Sequence, residues 1–464
     1  MGVDALVALV ARTSPLDVSP DALVLCFTAG ISAASGMLFG LAPAIRASRN
    51  DLSAALKERA TRLAGRRRFG MAPALVVSQV ALSLVLLVGA GLFGRSLLKL
   101  QSEDLGFNRD NVLLVDIDPR LAGYKQTELS ALYRQLLDRL GALPEVRTAS
   151  LASYSPLSGT SSTRNVSLQG HTPEPGESMQ VSDILVGPNY CEVLEVPLLL
   201  GREIGFQDTP ASPKVAVVNE AFTKRFFPGE NPVGRRFGFG TSDDPKHSSE
   251  IEIVGVIGDV KYYGIKEKPE PTVYGPILQV QNQSAFSSNL EIRTEADPSA
   301  AASDVRAAIS QVDDQLPIVN VTSFNKQLDN SIRQESLIAQ LVSFFGLLAL
   351  LLACVGLYGI MAHAVVRRTN EIGIRMALGA QRSDILWMVL RETLALVLLG
   401  IAIGIPVAMA GARLISSQLF GLNAANPLTL LIAATLLTGV AALAGYLPAR
   451  RASLVDPMVA LRCE

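Results

Sequence analysis

The chain has 464 residues, 49% of them apolar and 18% charged, with 41 Lys and Arg against 42 Asp and Glu and a formal net charge of −1. That length allows two to four domains at roughly 100–200 residues each, and the composition excludes a disordered chain. A mean hydropathy of +0.33 with only 6% aromatic residues makes the position of the apolar residues the informative feature.

They fall in runs free of Asp, Glu, Lys and Arg: Ala22 to Ile45, Phe69 to Gly94, Ser336 to Val366, Thr393 to Ala412 and Leu414 to Ala449. A helix rising about 1.5 Å per residue needs about 20 apolar residues to cross about 30 Å of hydrocarbon, and each run is long enough. Ser416-Ser417-Gln418 and the turn-forming Gly421 to Pro427 separate the last two. Five membrane spans are therefore expected, at 22–42, 73–94, 338–362, 385–412 and 427–447, rather than five buried helices of a soluble protein. The stretches 43–72, 363–384 and 449–464 carry 15 Lys and Arg against 6 Asp and Glu, whereas 95–335 carries 23 against 32. Lys and Arg mark the cytoplasmic side, so the short basic stretches are read as inside and the long acidic one as outside.

In chain order, five spans with the basic stretches inside place residues 1–21 outside as an external stub, although Met1 to Arg12 has no basic n-region followed by an apolar core and cleavage site. Residues 22–58 supply a span and a cytoplasmic tail. An internal repeat explains them: at an offset of 405, Pro43 to Leu56 aligns with Pro448 to Leu461, and eight of the fourteen pairs are identical. Residues 1–58 then read as the tail of a first repeat whose beginning is absent, 59–72 as a basic cytoplasmic linker, and 73–464 as one complete copy.

After the span 73–94, the external segment 95–336 opens with a strand at Val112–Ile117. A helix follows over Gln126 to Leu140, with Leu129, Leu132, Tyr133, Leu136, Leu137 and Leu140 on one face, and then a strand from Val146 to Ser150. Leu290–Arg293, Ser299–Val312 and Pro317–Thr322 repeat the order strand, helix, strand. The two pieces predict one α+β subdomain built from non-contiguous chain. Between them a β-rich insertion is expected as a second subdomain, with strands at Val215–Val218, Glu250–Gly258 and Val273–Tyr274 and a short helix over Asn219–Phe227 stopped by Pro228-Gly229. Cys26 and Cys354 fall in spans and Cys463 in the cytoplasmic tail, so Cys191 is the one cysteine expected on the external side; this domain cannot rest on an internal disulfide, and the thiol is read as half-buried.

Chemistry is sparse. There is no Gly-x-x-x-x-Gly-Lys-Ser/Thr cradle for nucleotide phosphates, and His171, His247 and His363 lie far apart without ligand-spaced partners. No catalytic constellation, cofactor or metal site is predicted, and no nucleic-acid partner. The last segment, 337–464, holds three spans and one distinctive inner stretch, Arg367 to Ala380. As a helix it would place Ile372, Met376 and Gly379 near one face, pair Glu371 with Arg375 at i,i+4, and stop at Gly379-Ala380. Such a helix suits either an interfacial lipid anchor or a docking knob for a cytosolic partner.

Glu371-Ile372-Gly373-Ile374-Arg375-Met376-Ala377-Leu378-Gly379-Ala380 resembles the hallmark of FtsX/MacB-type ABC transporter permeases. The external segment resembles the MacB-type periplasmic core at Val215 to Phe222, Phe226 to Arg236 and Val254 to Val260. The order of span, Ala-Pro-Ala-Ile-Arg-Ala-Ser, linker, span, external domain and three spans is similar to the duplicated orphan permease subgroup, without the first external domain and first three spans. The resemblance implies an α-helical transmembrane bundle with a large α+β extracytoplasmic domain of two subdomains, placed in the cell inner membrane. It also implies a non-enzymatic permease subunit of an export system.

ATP would be bound by a separate cytoplasmic ABC ATPase contacting Arg367, Arg368, Glu371, Ile372, Gly373, Arg375, Met376, Leu378 and Gly379, with a second contact at Arg451, Asp456 and Leu461. Substituting Arg375 or Ile372 with Asp is expected to abolish that contact without affecting insertion. Movement would pass outward along the helices joined to the external domain, a mechanotransmission scheme that fits spans holding only Arg391, Glu392 and His363 as ionisable residues near their ends. Membrane lipid, a second copy or second permease half and a periplasmic adaptor are further expected partners. The alternatives are a non-transport actuator of a periplasmic enzyme and a passive membrane-anchored receptor.

Overall fold

A computed structural model describes residues 22–23, 25–33, 37, 71–171, 173–240, 248–280, 286, 288–415 and 427–453. The described residues of the expected span 22–42 are all helical; the rest of that span and the repeat segment 43–56 lie outside the described residues. The chain divides into two compact units, one formed by residues through Ser96 together with those from Leu337 on, the other by Leu97–Ser336.

In the first unit, four helices among the described residues are long and apolar enough to cross a membrane. They are α1 (Met71–Gln101), α7 (Arg333–Arg367), α9 (Arg382–Leu414) and α10 (Pro427–Ala452), and α1 and α7 extend into the second unit. Each runs past the expected span. At about 1.5 Å per residue, the 31 residues of α1 and the 35 of α7 reach roughly 46 and 52 Å, well beyond the hydrocarbon, and α1 continues through Gly94 and Arg95 without a break. Val76, Val80, Leu84, Val88 and Leu92 form a buried i,i+4 stripe on α1 that packs with Leu357, Val397, Ile401 and the small side chains Ala408, Ala433 and Ala441. Gly400 and Gly404 of α9 let that helix approach α1: a Cβ at Gly400 would lie 2.7 Å from Val80, and one at Gly404 would lie 2.9 Å from Leu84. The hydroxyl of buried Ser83 donates to the Ala349 carbonyl of α7 at 3.0 Å.

The second unit is built on two strand-helix-strand pieces. The first is β1 (Val112–Ile117), α2 (Leu129–Gly141) and β2 (Val146–Ala152); the second is β10 (Ser288–Thr294), α5 (Pro298–Val312) and β11 (Ile318–Ser323). They interleave as an antiparallel sheet in the order β11-β1-β10-β2, with Leu114 opposite Glu291, the arrangement of a split βαββαβ unit. Alternate residues explain why the strands are apolar almost throughout. Leu113, Val115, Leu151, Leu290 and Ile292 face the buried sides of α2 and α5, whereas Val112, Leu114 and Ala152 face the insertion. Asp297 starts α5 by accepting the Ser299 N–H at 2.9 Å, with Pro298 in its first turn.

The insertion contains β3 (Thr163–Leu168), β4 (Gln180–Val186), α3 (Tyr190–Leu194), β5 (Leu198–Gly201), β6 (Val215–Asn219), α4 (Glu220–Phe226), β7 (Arg236–Phe239), β8 (Ile251–Ile257) and β9 (Thr272–Pro276). Six of its strands pair in a ring, β4-β3-β7-β8-β6-β9, which the parallel β9–β4 ladder closes; β5 hangs from β8. Val166, Val181, Val218, Phe222, Phe237 and Ile253 fill the interior. Asn219 holds the ring to its helix: its side-chain oxygen accepts from Phe222 N at 3.0 Å and Thr272 N at 2.9 Å, and its amide donates to Glu270 O at 2.8 Å. The helix α6 (Phe324–Ser331) then leads into α7.

Candidate cytoplasmic hairpin

The inner stretch between α7 and α9 is a helix, α8 (Thr369–Ala377), held between two turns. Its end is fixed by Gly379, whose φ of +97° lies in the left-handed region. Leu378 N donates to Ile374 O, Gly379 N to Met376 O and Ala380 N to Arg375 O, each at 3.0 Å. Asp384 then accepts the Gln381 N–H at 3.0 Å and opens α9. The sequence alone suggested the same stop, but not which face the helix buries.

Ile372 is only 1% exposed and packs on Ile385, with Val365, Met376 and Met388 around it; Gly373 is buried beside it. These two expected contact residues therefore seal the hairpin instead of facing a partner. Gly379 does not continue the Ile372 stripe, because the helix has ended at Ala377 and the chain turns outward. The outward face consists of Glu371, Ile374, Arg375 and Leu378, with Ile374 50% and Leu378 83% exposed. Arg375 spans it, donating to Glu371 Oε1 at 2.7 Å and to Met388 Sδ at 2.8 Å. Arg367 is exposed at the end of α7.

At the hairpin base, Arg368 Nη1 donates to both oxygens of Glu392 on α9, at 2.9 and 3.0 Å. The pair adjoins a cavity of about 10 Å³ bounded by Met361, Val365, Ile372 and Met388, room for roughly one water. The sequence places Glu392 beside Arg391 near the inner end of a span, but its pairing with Arg368 of the preceding helix cannot be read from spacing. Arg451 donates to the Tyr358 hydroxyl of α7 at 3.0 Å, while Asp456 and Leu461 lie outside the described residues.

Elsewhere the geometry is not that of a reaction centre. Among the described residues no group of three or more His, Cys, Asp or Glu could hold a metal ion. Burial pushes the Cys191 thiol up to about 12, so it is un-ionised and unreactive at neutral pH. An open concavity of about 500 Å³ on the insertion is bounded by His171, Phe226, Phe227, Arg235 and Arg236, and its guanidinium groups are already engaged with Glu230 and Glu252 at 2.9 Å.

A unit with four membrane-spanning helices among the described residues and an α+β unit define a multi-pass membrane protein with a large extramembrane domain. The comparisons specify the class further. Residues 74–312 match the MacB-like periplasmic core domain and residues 343–457 the FtsX-like permease C-terminal domain, so the chain belongs to the MacB/FtsX-type permease family. It is an inner-membrane protein whose core domain is periplasmic. Over 294 residues it is 31% identical to a macrolide export ATP-binding/permease protein of Rhodospirillum rubrum, covering 60% of this chain and 42% of that one. Over 290 residues it is 29% identical to its counterpart in Rhodopseudomonas palustris, covering 60% and 42%. The chain thus spans about two-fifths of the length of the curated relatives it matches. The periplasmic region of MacB from Actinobacillus actinomycetemcomitans aligns at 16% identity over 48% of this chain and 92% of that one, with a TM-score of 0.32.

Proposed function

We propose that the chain is the permease subunit of a MacB-like ABC export system and that the outward face of α8 receives a separate cytoplasmic ATPase. The observation that carries this reading is the division of labour within the hairpin. One face is closed by Ile372 on Ile385, while the other leaves two aliphatic side chains, Ile374 and Leu378, beside a charged pair on the cytoplasmic side. An interfacial anchor alone would need no such sealed inner face.

Closure of the ATPase dimer would displace the hairpin and, through α7 and α1, move the periplasmic domain. Those two helices lend themselves to this role, running unbroken for 35 and 31 residues into the periplasmic unit. The cargo would already be in the periplasm or outer leaflet: a peptide, a lipophilic drug or a lipoprotein. Lipid surrounds the exposed faces of the spans, and a second copy or second permease half and a periplasmic adaptor complete the assembly.

The test is co-purification with an ATP-binding protein from native membranes. Leu378→Asp and Arg375→Asp are expected to abolish it, and for Leu378→Asp hydrogen exchange in α8 stays as in the parent chain, whereas Arg375→Asp also sets two carboxylates at i,i+4 with Glu371. Ile372→Asp, which buries a charge, should instead loosen α8 itself. Undiminished co-purification by Leu378→Asp and Arg375→Asp would reject this face as the contact.

A further inference from the structure

Within the periplasmic unit, the connections from α1 and into α7 are gripped by the same short segment, 258–267, between β8 and β9. On the α1 side, Lys261 Nζ donates to Glu103 Oε1 at 2.8 Å, and Lys261 N donates to Leu105 O at 3.0 Å. Gly106 adds a contact that only glycine permits: its φ is +79°, and a Cβ there would lie 1.8 Å from Asp259 O. On the α7 side, Lys266 Nζ donates to Glu335 Oε1 at 2.7 Å, in the first turn of that helix.

The segment is anchored on its far side to the insertion. Asp259 Oδ1 accepts from Ala221 N at 2.8 Å, at the start of α4. Tyr262 is buried, shares a hydrogen bond with the Tyr190 hydroxyl of α3, and accepts from Leu157 N at 2.7 Å through its carbonyl. The two grips are also tied to each other, since Phe107 packs on Phe324 of α6 with ring centroids 5.0 Å apart.

We propose that segment 258–267 is the joint through which both membrane-proximal connections act on the six-stranded insertion, with Lys261 and Lys266 as its two grips. Two ion pairs, one to the connection after α1 and one to the first turn of α7, and a glycine contact converge on ten residues whose other side holds α3 and α4. A displacement of either connection is therefore passed to the insertion through this segment, alongside the direct route into the split βαββαβ sheet, where Arg293 of β10 donates to Asn108 O and Asp110 O at 2.8 and 2.9 Å. The use of this joint in transport rests on the coupling reading above; its geometry does not.

The test is amide hydrogen exchange on the full chain in lipid nanodiscs, without ATPase or nucleotide. Lys261→Met is expected to speed exchange about fivefold both at 103–108 and at the remote α4, and Lys266→Met to do so at the start of α7 and at α4. The double variant should change α4 by less than the product of the two, because one joint serves both. Exposed Lys268→Met in the same neighbourhood is the control and should change nothing at α4. Lys261→Arg, which keeps a cationic donor for both Glu103 and the Ile265 carbonyl, should hold α4 close to the parent rates. Changes confined to each severed pair with α4 unmoved, or a Lys261→Arg chain that loosens α4 as much as Lys261→Met, would overturn the joint. Either result leaves α8 coupling standing, and failed ATPase capture would leave the joint standing.

Discussion

Replacing Glu291 by Gln should remove a large pH dependence from the stability of the periplasmic domain. Glu291 lies in the middle of β10 with no exposed surface, its desolvated carboxyl beside the buried Ser155 hydroxyl. Burial raises its pKa from an ordinary 4.5 to about 8, so the folded chain holds a proton that the unfolded chain releases. The sign follows from that difference. Below about pH 4.5 both states are protonated and the group costs nothing. As pH rises from there to about 8, stability falls by about 1.4 kcal/mol per pH unit, and above 8 the loss is complete. Between pH 5 and 7 this one residue is therefore worth about 3 kcal/mol of differential stability. Urea unfolding of the full chain in detergent, followed by exchange of the β10 amides from pH 5 to 8.5, measures it. Glu291→Gln should flatten the profile by about that slope, whatever its absolute stability. Parallel profiles for the two chains would refute a buried carboxyl that holds its proton in the folded state.

In the membrane unit, Gly400→Ala should force α1 and α9 apart and destabilise the bundle by about 1–3 kcal/mol, read as a lower unfolding temperature in detergent. Gly411→Ala, where a Cβ meets nothing within 4 Å, should leave that temperature unchanged. At the hairpin base, a double-mutant cycle with Arg368→Ala and Glu392→Gln should give a coupling of about 0.5–1 kcal/mol, modest because both side chains are partly exposed.

The membrane spans and the split α+β core were legible because their signals are local. Uncharged runs of 20 or more residues, and Leu129-Leu132-Tyr133-Leu136-Leu137-Leu140 on one helical face, need no knowledge of partners. The ring of the insertion was not. Its closing ladder joins Ser182–Val186 to Thr272–Pro276, some ninety residues apart, and strands such as β3 and β7 are short with polar ends, Thr163-Arg164-Asn165 and Arg236. Glu291 sits in the strand expected at Leu290–Arg293, and its burial depends on the insertion that covers the second face of the sheet. At the candidate site the pairing of Glu371 with Arg375 and the stop at Gly379 followed from spacing. The inward turn of Ile372 depended on Ile385, which belongs to the next helix.

The coupling claim is tested most directly by a photo-crosslinking residue placed at position 378, and in parallel at 374 and 372, in native membranes. The account predicts that 378 and 374 form adducts with a protein carrying a nucleotide-binding Gly-x-x-x-x-Gly-Lys-Ser/Thr motif, changed in yield by ATP, and that 372 does not. Adducts of 378 with lipid alone, or equal capture from 372, would contradict it.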